Sequence, residues 1–149
     1  MGIEENKEIV RRFIEAGNNI RGDTSKISAM VAEYLAPAHV HHTPAMGVET
    51  RLEETVAFYN MLFAAFPDIF YTIDDIIAEG DRVVIQTTST MTHKGAFQGI
   101  PGTGKRITTK SVDVFRVVNG KIVDEWSYPD LLGLMQQLGA IPSNPPADK

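Results

Sequence analysis

The chain contains no cysteine, little positive charge and no long apolar run, and each shortage excludes a class of protein. Without cysteine there is no disulfide, no thiolate metal site and no thiol nucleophile. The 14 Lys and Arg against 19 Asp and Glu give a net charge of −5. This balance argues against nucleic acid and anionic membranes as partners, because both require a basic face. No segment has the roughly 20 apolar residues of a membrane helix. The charged start MGIEENKEIVRRF lacks an apolar signal region, so we expect a cytoplasmic protein.

One domain accounts for the length and composition. The 149 residues are 43% hydrophobic and 22% charged, which are ordinary values for a chain large enough to bury a core. We place a single domain at residues 1–140. The proline-rich segment IPSNPPADK at residues 141–149 is predicted to be a poorly ordered tail.

The first half of the sequence has helical periodicity. Apolar residues recur at three- and four-residue spacing in three segments. These segments predict helices that end at NNIRGD, before Pro37 and at Pro67. The stretch between Pro37 and the third helix, which starts near Leu52, has no clear period. We predict an irregular connection there.

The second half has the character of strands. Two β-branched runs flank an EGD turn, and two more flank Asn119-Gly120, the strongest short hairpin signal. A last helix follows Asp130 and ends at Gly139. Helices followed by long antiparallel strands predict an α+β domain, in which a curved sheet wraps around the N-terminal helices and leaves a conical cavity.

Strict alternation along the last two strands predicts which side chains line this cavity. On the third predicted strand one face carries Ile107, Thr109, Ser111, Asp113 and Phe115. On the fourth, one face carries Ile122, Asp124, Trp126, Tyr128 and Asp130. Large aromatics with a few carboxylates are typical of a small-molecule pocket. The alternative is an amphipathic sheet with its carboxylates in solvent.

Three short motifs suggest functions that their context does not support. GIPGTGKR nearly matches a phosphate-binding loop, but Arg106 replaces the required hydroxyl residue and a strand follows instead of a helix. AHVHHTP groups His39, His41 and His42, yet no carboxylate lies at a recognisable metal-ligand spacing. We expect one of these histidines to face the cavity and no metal to bind. RGD at residues 21–23 is interpreted as a turn and a helix cap.

Longer segments resemble a known family. They are NKEIVRRFIEAGNNIRGD, LAPAHVHHTP, THKGAFQGIPGTGKRI and VDVFRVVNGKIVDEWSYPDLLGLMQQLG. Together they resemble the SnoaL-like polyketide cyclases, or ester cyclases, of the nuclear-transport-factor-2-like and ketosteroid-isomerase-like superfamily. The resemblance runs from about residue 6 to about residue 139. It implies a cone-shaped curved sheet over helices and a cofactor-free intramolecular aldol condensation of an aromatic polyketide methyl ester.

The resemblance also implies site residues. Asp130 takes the place of the family's general acid/base, and His42 and His93 match positions of pocket histidines. This sequence departs from the common pattern at His41, where an acid is frequent. The implied ligand is a small hydrophobic or aromatic carbonyl compound.

Such chemistry assigns further roles. A desolvated carboxylate can remove a proton beside a carbonyl group. In this interpretation Trp126 and Phe115 stack on the substrate. His42 or His93 can donate to the developing oxyanion, with Tyr128 or Tyr59 as lesser candidates. Asp113 is a further candidate for substrate binding, or else it pairs with a basic residue of the neighbouring strand.

Alternatives remain at this stage. Asp130 directly precedes a helix, where aspartate is a favoured N-cap. The same fold also suits a binding domain without turnover, or an isomerase, dehydratase or epoxide hydrolase. An open sheet face favours a homodimer or a higher homo-oligomer.

Overall fold

The computed structural model describes residues 2–143 and shows four helices and six strands in an α+β arrangement. The sheet is curved, open and mixed, with strand order β2-β1-β6-β5-β4-β3. Its elements in chain order are α1 (Ile3–Asn18), α2 (Ile27–Tyr34), β1 (Leu35–Thr43), β2 (Val48–Arg51), α3 (Leu52–Ala65), β3 (Phe70–Glu79), β4 (Arg82–Thr92), β5 (Arg106–Val118), β6 (Lys121–Pro129) and α4 (Leu131–Leu138).

The predicted helices and hairpins are confirmed. Helix α3 ends before Pro67, as expected because proline disfavours a helical conformation in the residue before it. The β5–β6 hairpin turns at Asn119 and Gly120, whose φ angles of 51° and 79° are those of a type I′ turn. Gly139 ends α4 with a left-handed φ of 82°. Local chemistry therefore fixes these boundaries.

The predicted irregular connection after Pro37 is wrong. Strands β1 and β2 occupy most of it, and β1 lies in the sheet between β2 and β6. The strand pairs parallel with β6, so the sheet is not purely antiparallel. Its register shifts between Leu35 and Val40, and Pro37 lies in this break. Proline is found at such irregularities. It interrupts the alternating pattern of β1, so the sequence did not predict this strand.

A β-bulge in β6 reverses the alternation on which the cavity prediction relied. Arg116 pairs with Asp124 but Val117 pairs with Ile122, so Val123 is an extra residue in β6. One extra residue moves all later side chains to the opposite face. Ile122 is buried on the inner face, which packs on the helices, and Glu125 is the next residue to be buried there.

The core lies between the helices and this inner face. Its fully buried side chains include Val10, Ile27, Phe66, Ile107 and Phe115. The opposite, outer face of the sheet carries the exposed residues Ile77, Val112 and Tyr128. Among residues 2–143, none of the helices combines the length and the apolar character needed to span a bilayer. Residues 144–149, which make up most of the predicted tail, lie outside the described part of the chain.

Candidate active site

Polar side chains cross the inner face of the sheet on four neighbouring strands. We call this set the inner polar band. Its members are His39 and His41 on β1, Glu125 and Ser127 on β6, Thr109, Ser111 and Asp113 on β5, and Thr87 and Ser89 on β4. Polar groups are costly to bury without partners. A band of them at the centre of an apolar core therefore marks a candidate active site.

Glu125 is the most unusual member of the band. Its side chain is buried among β1, β6 and α3, and only 5% of the residue is exposed. Burial raises the pKa of Glu125 to about 7, against the opposing effect of a hydrogen bond from Ser127. Within the described part of the chain, its Oε1 atom has no hydrogen-bond partner. Glu125 can therefore exchange a proton near neutral pH.

Asp113 is a second carboxyl group with the same property. Burial, followed by the charge of Glu125, raises the pKa of Asp113 to about 7. The Ser111 hydroxyl donates a hydrogen bond to Asp113 Oδ1 at 3.3 Å. Because each charge disfavours the other, the two carboxyl groups titrate as a coupled pair. Near neutral pH such a pair holds about one proton, so one member can act as a base and the other as an acid.

Two histidines border this pair from β1. His39 is fully buried and His41 is 9% exposed. Burial lowers the pKa of His39 to about 4, and burial also lowers the pKa of His41. The Nε2 atom of His41 lies 2.8 Å from Ser127 Oγ. Both rings are therefore neutral at physiological pH and can donate a hydrogen bond without carrying charge.

Aromatic side chains of the sheet and of helix α3 border the band. Tyr59 of α3 is buried, and burial together with the charge of Glu125 raises its pKa. Phe115 is fully buried on β5 and packs edge to face on Phe13 of α1, with ring centroids 6.1 Å apart. Tyr59 and Phe115 thus lie inside, where they were predicted.

The predicted inward positions of Trp126 and Tyr128 are wrong because of the β6 bulge. Both lie on the outer face, where Tyr128 is 48% exposed. The ring of Trp126 stacks on His42 at 4.8 Å with an interplanar angle of 7°. The Arg82 guanidinium lies 4.9 Å from the Trp126 ring centre. Trp126 is therefore packed between polar neighbours of the outer sheet face.

His42 also points away from the inner polar band. Its Nδ1 lies 2.9 Å from Glu49 Oε2, and its Nε2 lies 3.1 Å from Asp124 Oδ1. Asp124 in turn accepts a hydrogen bond from Arg116 at 3.2 Å. The expected single inward histidine is corrected: His39 and His41 face inward, and His42 joins an outer ion-pair network.

His93 is buried at the far end of β4. Its Nδ1 accepts a hydrogen bond from the Thr103 backbone N–H at 3.3 Å and lies 3.0 Å from the Thr103 hydroxyl. His93 follows Ile85, the residue opposite Asp113, by eight positions in the chain. At about 3.3 Å per residue, the two residues are roughly 25 Å apart along the strand direction. The structure therefore joins His93 to the glycine-rich loop and does not bring it to the carboxyl pair.

Asp130 caps α4. Its Oδ1 accepts a hydrogen bond from the Gly133 N–H at 2.9 Å, and the residue is exposed. It borders a shallow depression of about 220 Å³ on the sheet surface, together with Lys110, Val112 and Tyr128. Asp130 is therefore the N-cap of α4, as one of the two interpretations expected, and catalysis by Asp130 stays a prediction.

Sequence reasoning missed Glu125, Ser127, His39 and His41 as a group. His39 and His41 are two residues apart, so in a strand they share one face, and this spacing could have indicated the pair. Nothing in KIVDEW shows that Val123 is a bulge. Among residues 2–143, no group of three or more His, Asp or Glu side chains is placed to hold a metal ion.

Comparison with known proteins gives consistent results. A family model described as SnoaL-like polyketide cyclase matches residues 7–138. Aklanonic acid methyl ester cyclase DnrD of Streptomyces peucetius is 30% identical over 136 residues, covering 89% of this chain and 89% of that protein. The corresponding cyclase DauD of Streptomyces sp. strain C5 is also 30% identical, covering 89% of this chain and 80% of its own.

Solved structures agree in fold. AclR of Streptomyces galilaeus, assigned provisionally as a hydroxylase, superposes with a TM-score of 0.84 at 29% identity, covering 97% of this chain and 87% of its own. IdmH of Streptomyces antibioticus, assigned provisionally as a polyketide cyclase, has a TM-score of 0.76 at 27% identity, covering 90% and 98%.

Proposed function

The chain belongs to the SnoaL-like polyketide cyclase family and is a polyketide cyclase, and we propose that it closes a ring of an aromatic polyketide methyl ester by an intramolecular aldol reaction. One observation carries the proposal beyond the family: Asp113 and Glu125 are two buried, coupled carboxyl groups, each with a pKa raised to about 7. The substrate class is suggested by the relatives named for aklanonic acid methyl ester.

The coupled pair suits both proton transfers of an aldol closure. A carbon between two carbonyl groups is acidic enough for a carboxylate to deprotonate it, and the acceptor carbonyl oxygen needs a proton as the new bond forms. A general base is most effective when its pKa lies near the working pH. Ketosteroid isomerase separates the roles of its two carboxyl groups in a comparable way. We assign the base to Asp113 and the acid to Glu125.

The aromatic side chains of the interior would orient the substrate. Phe115 and Tyr59 lie on the two sides of the inner polar band, one on the sheet and one on α3. Planar rings pack well against such side chains in offset or edge-to-face geometry. We therefore keep Phe115 and Tyr59 as substrate-binding residues and no longer place Trp126 and Tyr128 at the substrate.

The first test uses aklanonic acid methyl ester and chromatography coupled to mass spectrometry. Ring closure yields a product of unchanged mass, whereas a hydroxylase, as provisionally assigned to AclR, would add an oxygen atom. Asp113→Asn and Glu125→Gln should each lower turnover by about 10²–10⁴-fold, because each removes one proton-transfer group. The exposed Asp75→Asn is the control and should retain activity.

Asp130→Asn in the same assay tests the role implied by the family resemblance. Full loss in Asp130→Asn, with activity retained in Asp113→Asn and Glu125→Gln, would place the base at Asp130 and contradict our assignment. His42→Gln and His93→Gln complete the comparison. Circular dichroism of each variant checks that a loss is not a folding defect.

We also propose that two copies associate through the outer face of the sheet. Apolar and aromatic side chains lie there in rows across the strands, and the well-exposed ones include Phe70, Ile77, Val112 and Tyr128. Exposed apolar surface of this kind often marks an interface. The cytoplasmic location expected from the sequence is part of the same proposal.

A further inference from the structure

Three polar atoms face one another in the interior without a hydrogen bond between them. Glu125 Oε1 lies 4.0 Å from His39 Nε2 and 3.8 Å from His41 Nδ1. These separations are too long for direct hydrogen bonds, yet one oxygen atom can bond to both sides of such a space. Among the described residues, neither nitrogen of the fully buried His39 has a partner, and neither does Glu125 Oε1.

We propose that this space, the His39–His41–Glu125 gap, binds the substrate oxygen that becomes negative during ring closure. The inference rests on the aldol function proposed above and names the oxygen-binding part of that site. Leaving buried donors and acceptors unpaired costs free energy in the empty protein. A ligand oxygen that accepts hydrogen bonds from His39 Nε2–H and from the protonated Glu125 Oε1 recovers part of this cost.

The proton positions follow from the bonds made by Ser127. A serine hydroxyl has one proton to donate. Ser127 Oγ lies 2.8 Å from His41 Nε2 and 3.5 Å from Glu125 Oε2, and it also bonds to Asp113. Because an ionised carboxylate is a stronger acceptor than a neutral imidazole, we assign the Ser127 proton to the carboxyl pair, and His41 Nε2–H donates to Ser127 Oγ. The proton of the neutral His41 ring is then on Nε2, and the hydrogen bond to the ligand oxygen comes from His39. Ser127 is thus a positioning residue that fixes the tautomer of His41.

Neutral donors suit this role because they leave the base free to act. A charged imidazolium beside Asp113 and Glu125 would favour the ionised form of both and weaken the base. The low pKa of His39, caused first by burial and then by His41, keeps its ring uncharged. His39 therefore stabilises the oxygen by a hydrogen bond alone, and the proton itself comes from Glu125.

The step balances in protons and electrons. The C–H bond of the nucleophilic carbon breaks, and its proton moves to the Asp113 carboxylate. The released electron pair forms the new C–C bond to the acceptor carbonyl carbon. The carbonyl π pair moves onto oxygen, which takes the proton of Glu125 in the gap. The carboxyl pair ends with the same single proton, now on Asp113.

Substituted phenols of graded acidity test the inference without turnover, because a phenolate presents one negative oxygen on a flat ring. Calorimetry at constant pH measures affinity, and ultraviolet absorbance tells whether the bound phenol is ionised. We expect affinity to rise as the phenol becomes more acidic, with the absorbance of a phenolate. Toluenes of the same shape lack the oxygen and should show no such trend.

His39→Leu should lower phenolate affinity about 10–100-fold, the value of a hydrogen bond to a charged group, and leave toluene binding unchanged. His39→Gln keeps an N–H donor and should restore part of the affinity. The surface variant Asp75→Asn is the control.

The outcomes separate this inference from the proposed function. No trend with acidity, or unchanged phenolate affinity in both His39 variants, overturns the oxygen site even if the protein cyclises its substrate. The expected phenolate pattern in a protein that leaves the polyketide ester unchanged supports the site and contradicts the aldol function. Circular dichroism shows whether each variant is folded.

Discussion

Asp113 and Glu125, the acid/base pair that we propose, are buried at a cost to stability. A buried carboxyl group with a raised pKa destabilises the folded state wherever the group is ionised in the unfolded chain. Buried ionisable groups can often be replaced by apolar residues of similar volume without loss of stability. The structure keeps the carboxyl groups, which is what an acid/base site requires.

The pH dependence of stability follows from these pKa values. The ordinary pKa values of Asp113 and Glu125 are 3.8 and 4.5, and both are raised to about 7 in the fold. Between these limits the folded state binds more protons, so the free energy of unfolding falls as pH rises through 7. His39 and His41 have lowered pKa values and act in the opposite direction, but only below about 6.5, the ordinary histidine value.

We therefore predict that Glu125→Gln gains stability relative to wild type as pH rises from 6 to 8. The gain should be on the order of 1–2 kcal/mol, since one pKa unit corresponds to about 1.4 kcal/mol. Urea denaturation at pH 6, 7 and 8 measures it, and Asp75→Asn should follow wild type throughout. A difference between Glu125→Gln and wild type that stays constant with pH would show that Glu125 does not titrate in this range.

Single elements carry most of the difference between what the sequence predicts and what the structure shows. The hairpin at Asn119-Gly120 and the ends of α3 and α4 depend on local turn and capping chemistry, so they could be predicted. Strand β1 depends on pairing with β6, more than 80 residues away in the chain, and its local pattern is interrupted at Pro37. Propensity arguments do not contain that information.

The bulge at Val123 had the largest effect on the candidate site. Asp113, Phe115 and Tyr59 precede it in the chain and were placed correctly. Trp126 and Tyr128 follow it and were assigned to the wrong face. A single unpaired residue is not visible in an alternating sequence, because both registers read equally well until the partner strand is known. The family resemblance predicted the fold correctly and could not reveal this local shift.

Helix α4 allows a prediction at the same scale. The Asp130 carboxylate accepts a hydrogen bond from the Gly133 N–H, so Asp130→Ala should lower the free energy of unfolding by about 1 kcal/mol. Asp130→Ser keeps an N-cap acceptor and should retain most of the stability. Chemical denaturation of both variants measures the effect. If Asp130→Ser is as stable as wild type but inactive in the cyclisation assay, Asp130 has a role besides capping.

At the scale of the whole molecule, the two faces of the sheet have different tasks. The inner face carries the polar band, with its reactive groups under the helices. The outer face carries charged networks such as that of His42, Asp124 and Arg116, between rows of apolar side chains. One row joins the apolar Val112 and Tyr128 with the polar Gln86 across three strands. Such a face suits association with a second copy, because it combines exposed apolar area with charges of both signs.

A charge placed in this row should therefore prevent dimer formation. Val112 is 39% exposed at the centre of the row, so Val112→Glu should convert a dimer into a monomer without affecting the core. Ile3 has a similar exposure of 41% but lies at the start of α1, on the helical side, which makes Ile3→Glu the matched control. Sedimentation velocity over a range of concentrations gives the mass of each variant.

A wild-type protein that sediments as a monomer, or a Val112→Glu variant that remains a dimer while Ile3→Glu dissociates, would show that the outer face is not the interface. Because the inner polar band lies on the opposite side of the sheet, the Val112→Glu monomer should retain its ring-closing activity.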